Sequence, residues 1–350
     1  MSIIAANITL YYVYIIASPI EIFIMIPTFT IIAAIAVALF MGLNIGGNNA
    51  AASMGAAYGA KVRTKYQAVL LIGVFSVLGA VFSGGEVIKT LGNGILPSGT
   101  IVMEGAIVAV GAAGITVFLA NVLRIPISTS QAAVGAVVGI GFFYGASKLN
   151  IHLLGYIVSW WIITPIIAWL LAYIMGKYFY TDILIWLADR GDSEAGIRKL
   201  LNVLLTFSGC YVAYSAGANN AANAVGPFVG AGQISTLYGA IFGGLAIGFG
   251  ALLLGGRILD TVGNEITELC VIRATFVEFI SAGLVHIASI LGVPVSLGEI
   301  VAAGVIGIGC ANSGMHIMKG EVVKKIMVAW VISPLLAGTL AFVLMKLIYS

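Results

Sequence analysis

Two pairs of neighbouring asparagines, Asn48-Asn49 and Asn219-Asn220, stand in apolar surroundings, each with glycine just upstream. An amide among aliphatic side chains is costly unless it is partnered. Paired amides in both halves of one chain therefore point to a binding site more than to packing. Asn223 adds a third amide one turn beyond the second pair. A second polar group follows two prolines: Ser128, Thr129 and Ser130 come after Pro126, and Ser296 comes after Pro294. Amides and hydroxyls supply hydrogen-bond donors without fixed charge, which suits a desolvated anion. The candidate anion-binding set is Asn48, Asn49, Asn219, Asn220, Asn223, Ser128, Thr129, Ser130 and Ser296.

Gly46, Gly47 and Gly217 precede the amides. Glycine permits unusual torsions and asparagine tolerates left-handed ones, so helix breaks are expected at 46–49 and at 217–220. The N–H groups freed at a helix start carry roughly half a positive charge and bind anions. The prolines before Ser128 and Ser296 are further places for a helix to restart. The other role open to the glycines is close helix packing, the use suggested by the four-residue spacing of Gly55/Gly59, Gly135/Gly139 and Gly226/Gly230.

The chain that positions these groups is duplicated. At an offset of 171 (217 − 46), Gly46, Asn48, Asn49, Ala51, Gly55 and Gly59 fall on Gly217, Asn219, Asn220, Ala222, Gly226 and Gly230. The same offset places the block 84–95 on 255–266. Pro126-Ile-Ser128 matches Pro294-Val-Ser296, with Gly139 and Gly141 on Gly307 and Gly309, and Trp161-Ile-Ile-Thr-Pro165 matches Trp330-Val-Ile-Ser-Pro334. Four blocks in one order define a first repeat at 28–177 and a second at 200–350. A polar connecting loop at 178–199, with short interfacial helices near 183–187, joins them, and 1–27 reads as an added span.

Within the repeats, Glu86 and Lys89 correspond to Arg257 and Asp260 with the signs exchanged. Both pairs have i, i+3 spacing, which suits a salt bridge within a helix. Pairing across the repeats is the alternative, and it would make these residues a gate.

Composition fixes the solvent. Of 350 residues, 61% are hydrophobic and only 8% charged, and mean hydropathy is +1.12. A water-soluble domain carries about 25% charged residues, so this chain is an all-α integral membrane protein. Apolar runs near 8–26, 29–43, 67–82, 101–123, 152–176, 200–215, 237–254, 276–291 and 322–349, with shorter Gly-rich stretches between, give about ten to twelve crossings or half-crossings. The N-terminus shows no signal-peptide pattern, so the first span is expected to stay.

Basic residues at Lys61/Arg63/Lys65, Arg190/Arg198/Lys199 and Lys319/Lys324/Lys325 place those loops on the cytoplasmic side. A net charge of +3 without an aromatic-interleaved basic patch speaks against nucleic acid. Cys210, Cys270 and Cys310, and His152, His286 and His316, are scattered. Neither a disulfide framework nor a metal site is expected. No catalytic or nucleotide-binding motif occurs, and no cofactor is expected.

Duplicated membrane halves with Gly- or Pro-interrupted helices in matching positions are the mark of secondary transporters, whose sites lie near mid-bilayer. At these residues the sequence resembles the inorganic phosphate transporter (PiT) family. Its duplicated signature is similar to G-A-N-D-x-A-N-A followed by P-(V/I)-S-T-T-H. Gly217-Ala-Asn-Asn220-Ala-Ala-Asn223-Ala-Val-Gly-Pro227 is a near match, while Pro126-Ile-Ser-Thr-Ser130-Gln131 and Pro294-Val-Ser-Leu-Gly-Glu299 are partial ones. The stretch 261–269 also resembles the family. The likeness covers roughly residues 30–350 and implies inverted repeats, an oxyanion held between them and cation-coupled uptake into the cell.

Where the family has Asp, this chain has Asn49 and Asn220; where the family has His, it has Gln131 and Glu299. The stretches 50–59, 84–90 and 128–130 resemble the family's bacterial sulfate-permease branch. Phosphate near neutral pH donates hydrogen bonds and gains from a carboxylate acceptor; sulfate has no proton to give and gains only from donors. Asn for Asp removes two carboxylates that would also ligate sodium. The reading therefore favours a permease taking up sulfate with protons over a phosphate symporter using sodium or protons; an anion channel is the alternative from another class. A proton carrier must titrate within the working range, and burial favours a carboxylate's neutral form. Glu299 is the first candidate carrier, followed by Glu278 and Glu86; the alternative for Glu299 is a structural hydrogen bond. The cell membrane is the expected location, and the small-residue faces allow a homodimer.

Overall fold

The computed structural model describes residues 19–123, 127–191, 193–263, 271–319 and 321–350. Most of the expected first span, together with Pro126, Cys270 and most of the stretch 261–269, lies outside them. Thirteen α-helices and no strand occur among the described residues: α1 (Pro19–Gly59), α2 (Lys65–Ser83), α3 (Gly85–Lys89), α4 (Met103–Val122), α5 (Thr129–Tyr144), α6 (Ile151–Ile174), α7 (Tyr180–Asp189), α8 (Glu194–Gly230), α9 (Thr236–Gly250), α10 (Gly256–Gly263), α11 (Val271–Ile290), α12 (Leu297–Ser313) and α13 (Glu321–Ile348). Eight apolar helical stretches are long enough to cross a bilayer, and α5 and α12 are shorter apolar helices, so the total falls within the expected range. Large apolar side chains face outward along the bundle; Phe82, for example, is 75% exposed. In a bilayer that surface is solvated by lipid.

Helix starts obey local chemistry in both repeats. Thr64 forms a capping box with Gln67 at the start of α2, and Ser235 caps α9 at the equivalent position. Ser128 accepts from the Gln131 N–H at the start of α5, and Ser296 from the Glu299 N–H at the start of α12. Each such cap is worth about 1 kcal/mol. The expected restarts at 126–128 and 294–296 are thus present, and they make α5 and α12 discontinuous half-helices.

The expected breaks at Gly46, Gly47 and Gly217 do not occur. The helices α1 and α8 run unbroken through 46–49 and 217–223. Continuity keeps every backbone hydrogen bond satisfied where no water is at hand. The glycines serve close approach instead. A β-carbon at Gly46 would stand 2.0 Å from the Ile247 carbonyl oxygen, and one at Gly217 would stand 2.0 Å from that of Ser76. These contacts are symmetry mates: the asparagine-bearing helix of each repeat crosses the second helix of the other. Backbone approach through small residues is how helices associate when lipid removes the hydrophobic drive.

The same exchange holds for the half-helices. Helix α5 packs on α13, and α12 packs on α6. A β-carbon at Gly139 would meet the Gly338 carbonyl at 2.1 Å, and one at Gly307 would meet that of Trp169 at 2.3 Å. The two inverted repeats are therefore interlocked, each half-helix lying against the last helix of the other half.

Two boundaries differ from expectation. Among the described residues, helix α1 runs from Pro19 to Gly59, so residues 19–27 belong to the same helix that carries Asn49. The connecting loop of 178–199 is mostly helical. Helix α7 fills 180–189, Gly191 turns the chain at φ +67°, and Ser193 caps α8 from Glu194 by accepting from the Gly196 N–H.

Candidate functional site

Three elements bring polar side chains to one buried cluster. Helix α1 supplies Asn49, α8 supplies Asn220 and Asn223, and α5 supplies Ser130, all buried. Asn220 Nδ2 donates to Asn49 Oδ1 at 3.3 Å. These two residues are repeat mates, so the bond lies where the halves meet. Ser130 Oγ donates to Asn220 Oδ1 at 3.2 Å, and Asn223 Nδ2 donates to Ser130 Oγ at 3.3 Å. Asn49 Nδ2 and Asn223 Oδ1 are buried without a protein partner. An unsatisfied buried amide group costs about 1–3 kcal/mol, so these atoms are poised for a ligand. Turning the Asn223 amide over would present its nitrogen instead of its oxygen, and the Ser130 hydroxyl can donate or accept. The cluster can thus offer an anion several neutral donors.

Next to Ser130, Gln131 links the half-helices. Its Nε2 donates to Glu299 Oε2 at 3.3 Å, and its Oε1 accepts from Ser333 Oγ at 3.1 Å. Glu299 Oε1 is buried without a protein partner. Gln131 and Glu299 hold the same place in the first turns of α5 and α12, so two helix starts, one from each repeat, do meet. They meet through Gln131 and Glu299, three residues beyond the capping serines, and not at the asparagine pairs. Both starts add positive partial charge beside the cluster.

The remaining predicted residues have other places. Asn48 is exposed on α1, away from the buried asparagines. Asn219 is structural: its Nδ2 donates to Ser289 Oγ at 3.1 Å and to the Val293 carbonyl at 3.0 Å, and its Oδ1 accepts from the Val295 N–H at 3.0 Å. It ties α8 to the extended segment that launches α12. Trp161 pins that segment from the first repeat by donating to the Pro294 carbonyl at 2.8 Å. Asn219→Ala would strand the Val295 N–H and is expected to cost about 1–3 kcal/mol of stability. A melting curve in detergent checks this.

Ser128 and Ser296 act through their caps, and Thr129 is buried beside them. Glu278 is buried and accepts from Ser208 Oγ. Glu86 pairs with Lys89 at 2.7 Å within α3, the local arrangement. Asp260 is held across the repeats by Lys65 and by Tyr58 Oη, a cross-repeat contact with partners other than Glu86. Ser333 escaped sequence reasoning. Its signal was its place in the repeated block 330–334, where Thr164 stands in the first copy.

Two interlocked repeats with half-helix starts meeting on a buried polar cluster define a multi-pass membrane protein of the duplicated-transporter type. The chain belongs to the phosphate transporter (PiT) family, whose model matches residues 45–341. It is 40% identical over 317 residues to the sulfate permease CysP of Bacillus subtilis, covering 90% of this chain and 87% of the relative. A relative in Thermococcus kodakarensis, 28% identical over 396 residues and covering 91% of this chain and 97% of its own, carries a provisional phosphate-permease name. In fold, the chain is similar to a solved structure titled the sodium-dependent phosphate transporter, with a TM-score of 0.81, 24% identity, and coverage of 91% of this chain and 99% of that one.

Proposed function

We propose that this protein is a secondary active transporter of the cell membrane that takes up sulfate together with protons, and not an enzyme. The observation that carries the reading is the bond between Asn220 and Asn49 across the repeats, at 3.3 Å. Two neutral amides stand where the family resemblance has carboxylates. A fully deprotonated tetrahedral dianion is better matched by such donors than by carboxylates, while phosphate would lose an acceptor for its own proton. The name of the Bacillus relative supports the same choice, and the provisional phosphate-permease name keeps phosphate as the second reading.

Coupling follows from charge. Moving one negative charge into a negative interior costs about 2.3 kcal/mol per 100 mV, and a dianion costs twice that. Glu299, tied to Gln131 next to the cluster, is the proton carrier. Protonated, it removes a negative charge from beside the entering dianion. Deprotonated on the inner side, it repels the dianion and favours release. Interlocked repeats suit alternating access, whereas a channel needs no proton carrier.

The test is uptake of radiolabelled sulfate into proteoliposomes, with and without sodium and an inward proton gradient. Accumulation driven by the proton gradient and blocked poorly by phosphate is the expected result. Sodium-dependent uptake that phosphate blocks better than sulfate would reverse the substrate and the coupling ion together.

A further inference from the structure

His286 lies outside the anion cluster, yet both nitrogens of its ring are engaged. Nδ1 is 3.1 Å from Tyr211 Oη and Nε2 is 3.3 Å from Ser83 Oγ. Ser83 Oγ is in turn 2.6 Å from Tyr214 Oη. The rings of Tyr211 and Tyr214 meet the imidazole edge-on, with centroids 5.7 and 5.3 Å away. An unbroken chain Tyr211–His286–Ser83–Tyr214 thus joins α8, α11 and the last residue of α2.

Every partner in that chain is a hydroxyl. Neutral imidazole offers one donor and one acceptor, while imidazolium offers two donors. Hydroxyls reverse direction by rotating, so the ring can gain or lose a proton without stranding a donor. Among the described residues, the elements around it bring no charged group into bonding contact with it. Helix α2 gives Ser83, and α8 gives Tyr211 and Tyr214. Glu86 of α3 is paired with Lys89, Glu299 of α12 with Gln131, and Glu278 of α11 itself with Ser208.

The chain also connects to the anion site. One turn beyond His286 on α11, Ser289 accepts from Asn219, and Asn219 holds the Val295 N–H just before the cap of α12. A change in charge at His286 therefore acts on the helix that carries Glu299.

Charge balance supplies the need, provided the sulfate–proton reading holds. One proton on Glu299 leaves a transported dianion with net negative charge, and a second makes the step neutral. We propose that His286 is a second proton-binding site of the transport cycle. The proton reaches a ring nitrogen from the outer medium by exchange along the Tyr211, Ser83 and Tyr214 hydroxyls. It leaves to the inner medium once per oxyanion, and no other bond is made or broken.

The experiment measures the steady sulfate accumulation ratio in proteoliposomes at zero membrane potential under a tenfold inward proton gradient. Each coupled proton multiplies that ratio by about ten. Wild type is expected to reach about 100-fold, and His286→Gln about tenfold. His286→Asn, judged by the same ratio, serves if the glutamine variant does not assemble. Equal ratios in wild type and variant overturn this assignment alone, because a merely structural histidine changes rate and yield but not stoichiometry. A wild type that accumulates no sulfate under the gradient overturns the symport reading itself.

Discussion

The double variant Asn49→Asp/Asn220→Asp is expected to lose sulfate uptake by about two orders of magnitude, equivalent to about 2.7 kcal/mol, and to become sensitive to sodium. In the native protein Asn220 Nδ2 donates to Asn49 Oδ1 at 3.3 Å, both residues being buried. Two carboxylates at that distance have no donor to share and repel each other. Like-charge juxtaposition of this kind costs several kcal/mol. Relief comes by protonating one of them or by drawing in a cation, and buried carboxylates are hard ligands that suit sodium. An arriving dianion meets negative charge in place of amide donors. Phosphate, which brings protons of its own, is penalised less. Initial uptake rates of both anions, with and without sodium, check the prediction. Sulfate uptake unchanged in the double variant would defeat the argument from neutral donors.

Glu299→Gln is expected to lower net sulfate accumulation by about tenfold under a tenfold proton gradient, roughly 1.4 kcal/mol, while exchange of labelled for unlabelled sulfate persists. The substitution keeps the shape of the side chain and can keep the bond with Gln131, seen at 3.3 Å. It removes the group that can carry a proton. In wild type, uptake rises as the outer medium is acidified, because more carriers load before the anion enters. In the variant that slope is shallower. Paired measurements of net uptake and exchange separate coupling from folding, since a misassembled protein loses both. Proton-driven accumulation at the wild-type level would leave Glu299 a structural hydrogen-bond partner of the bundle.

Much of this was legible in the sequence, for identifiable reasons. Duplication of a membrane chain leaves matched blocks, and the repeat mates Asn49 and Asn220 do touch. The helix restarts expected after the prolines are present, although Ser128 and Ser296 serve there as caps and not as free anion donors. Gly46 and Gly217 misled because glycine has two uses at membrane depth. Only the partner helix, crossing within reach of the missing β-carbon, decides for packing over breakage. Asn48 and Asn219 looked like equal members of their pairs, since adjacency in sequence hides that neighbours on a helix point about 100° apart. One is exposed and the other is spent on the segment before α12. Lys65, Tyr58 and Asp260 come together only through the interlocking of the halves, which no local spacing encodes. The same holds for His286, whose partners come from α2 and α8.

A structure determined with selenate, a heavier isostere of sulfate, tests most directly whether neutral donors from both halves hold the anion. Its selenium signal should lie within hydrogen-bonding distance of Asn49 Nδ2, with Asn220, Asn223 and Ser130 around it and no sodium ion alongside. A signal placed elsewhere, or an Asn49–Asn220 pair walled off from the bound anion, would contradict that picture.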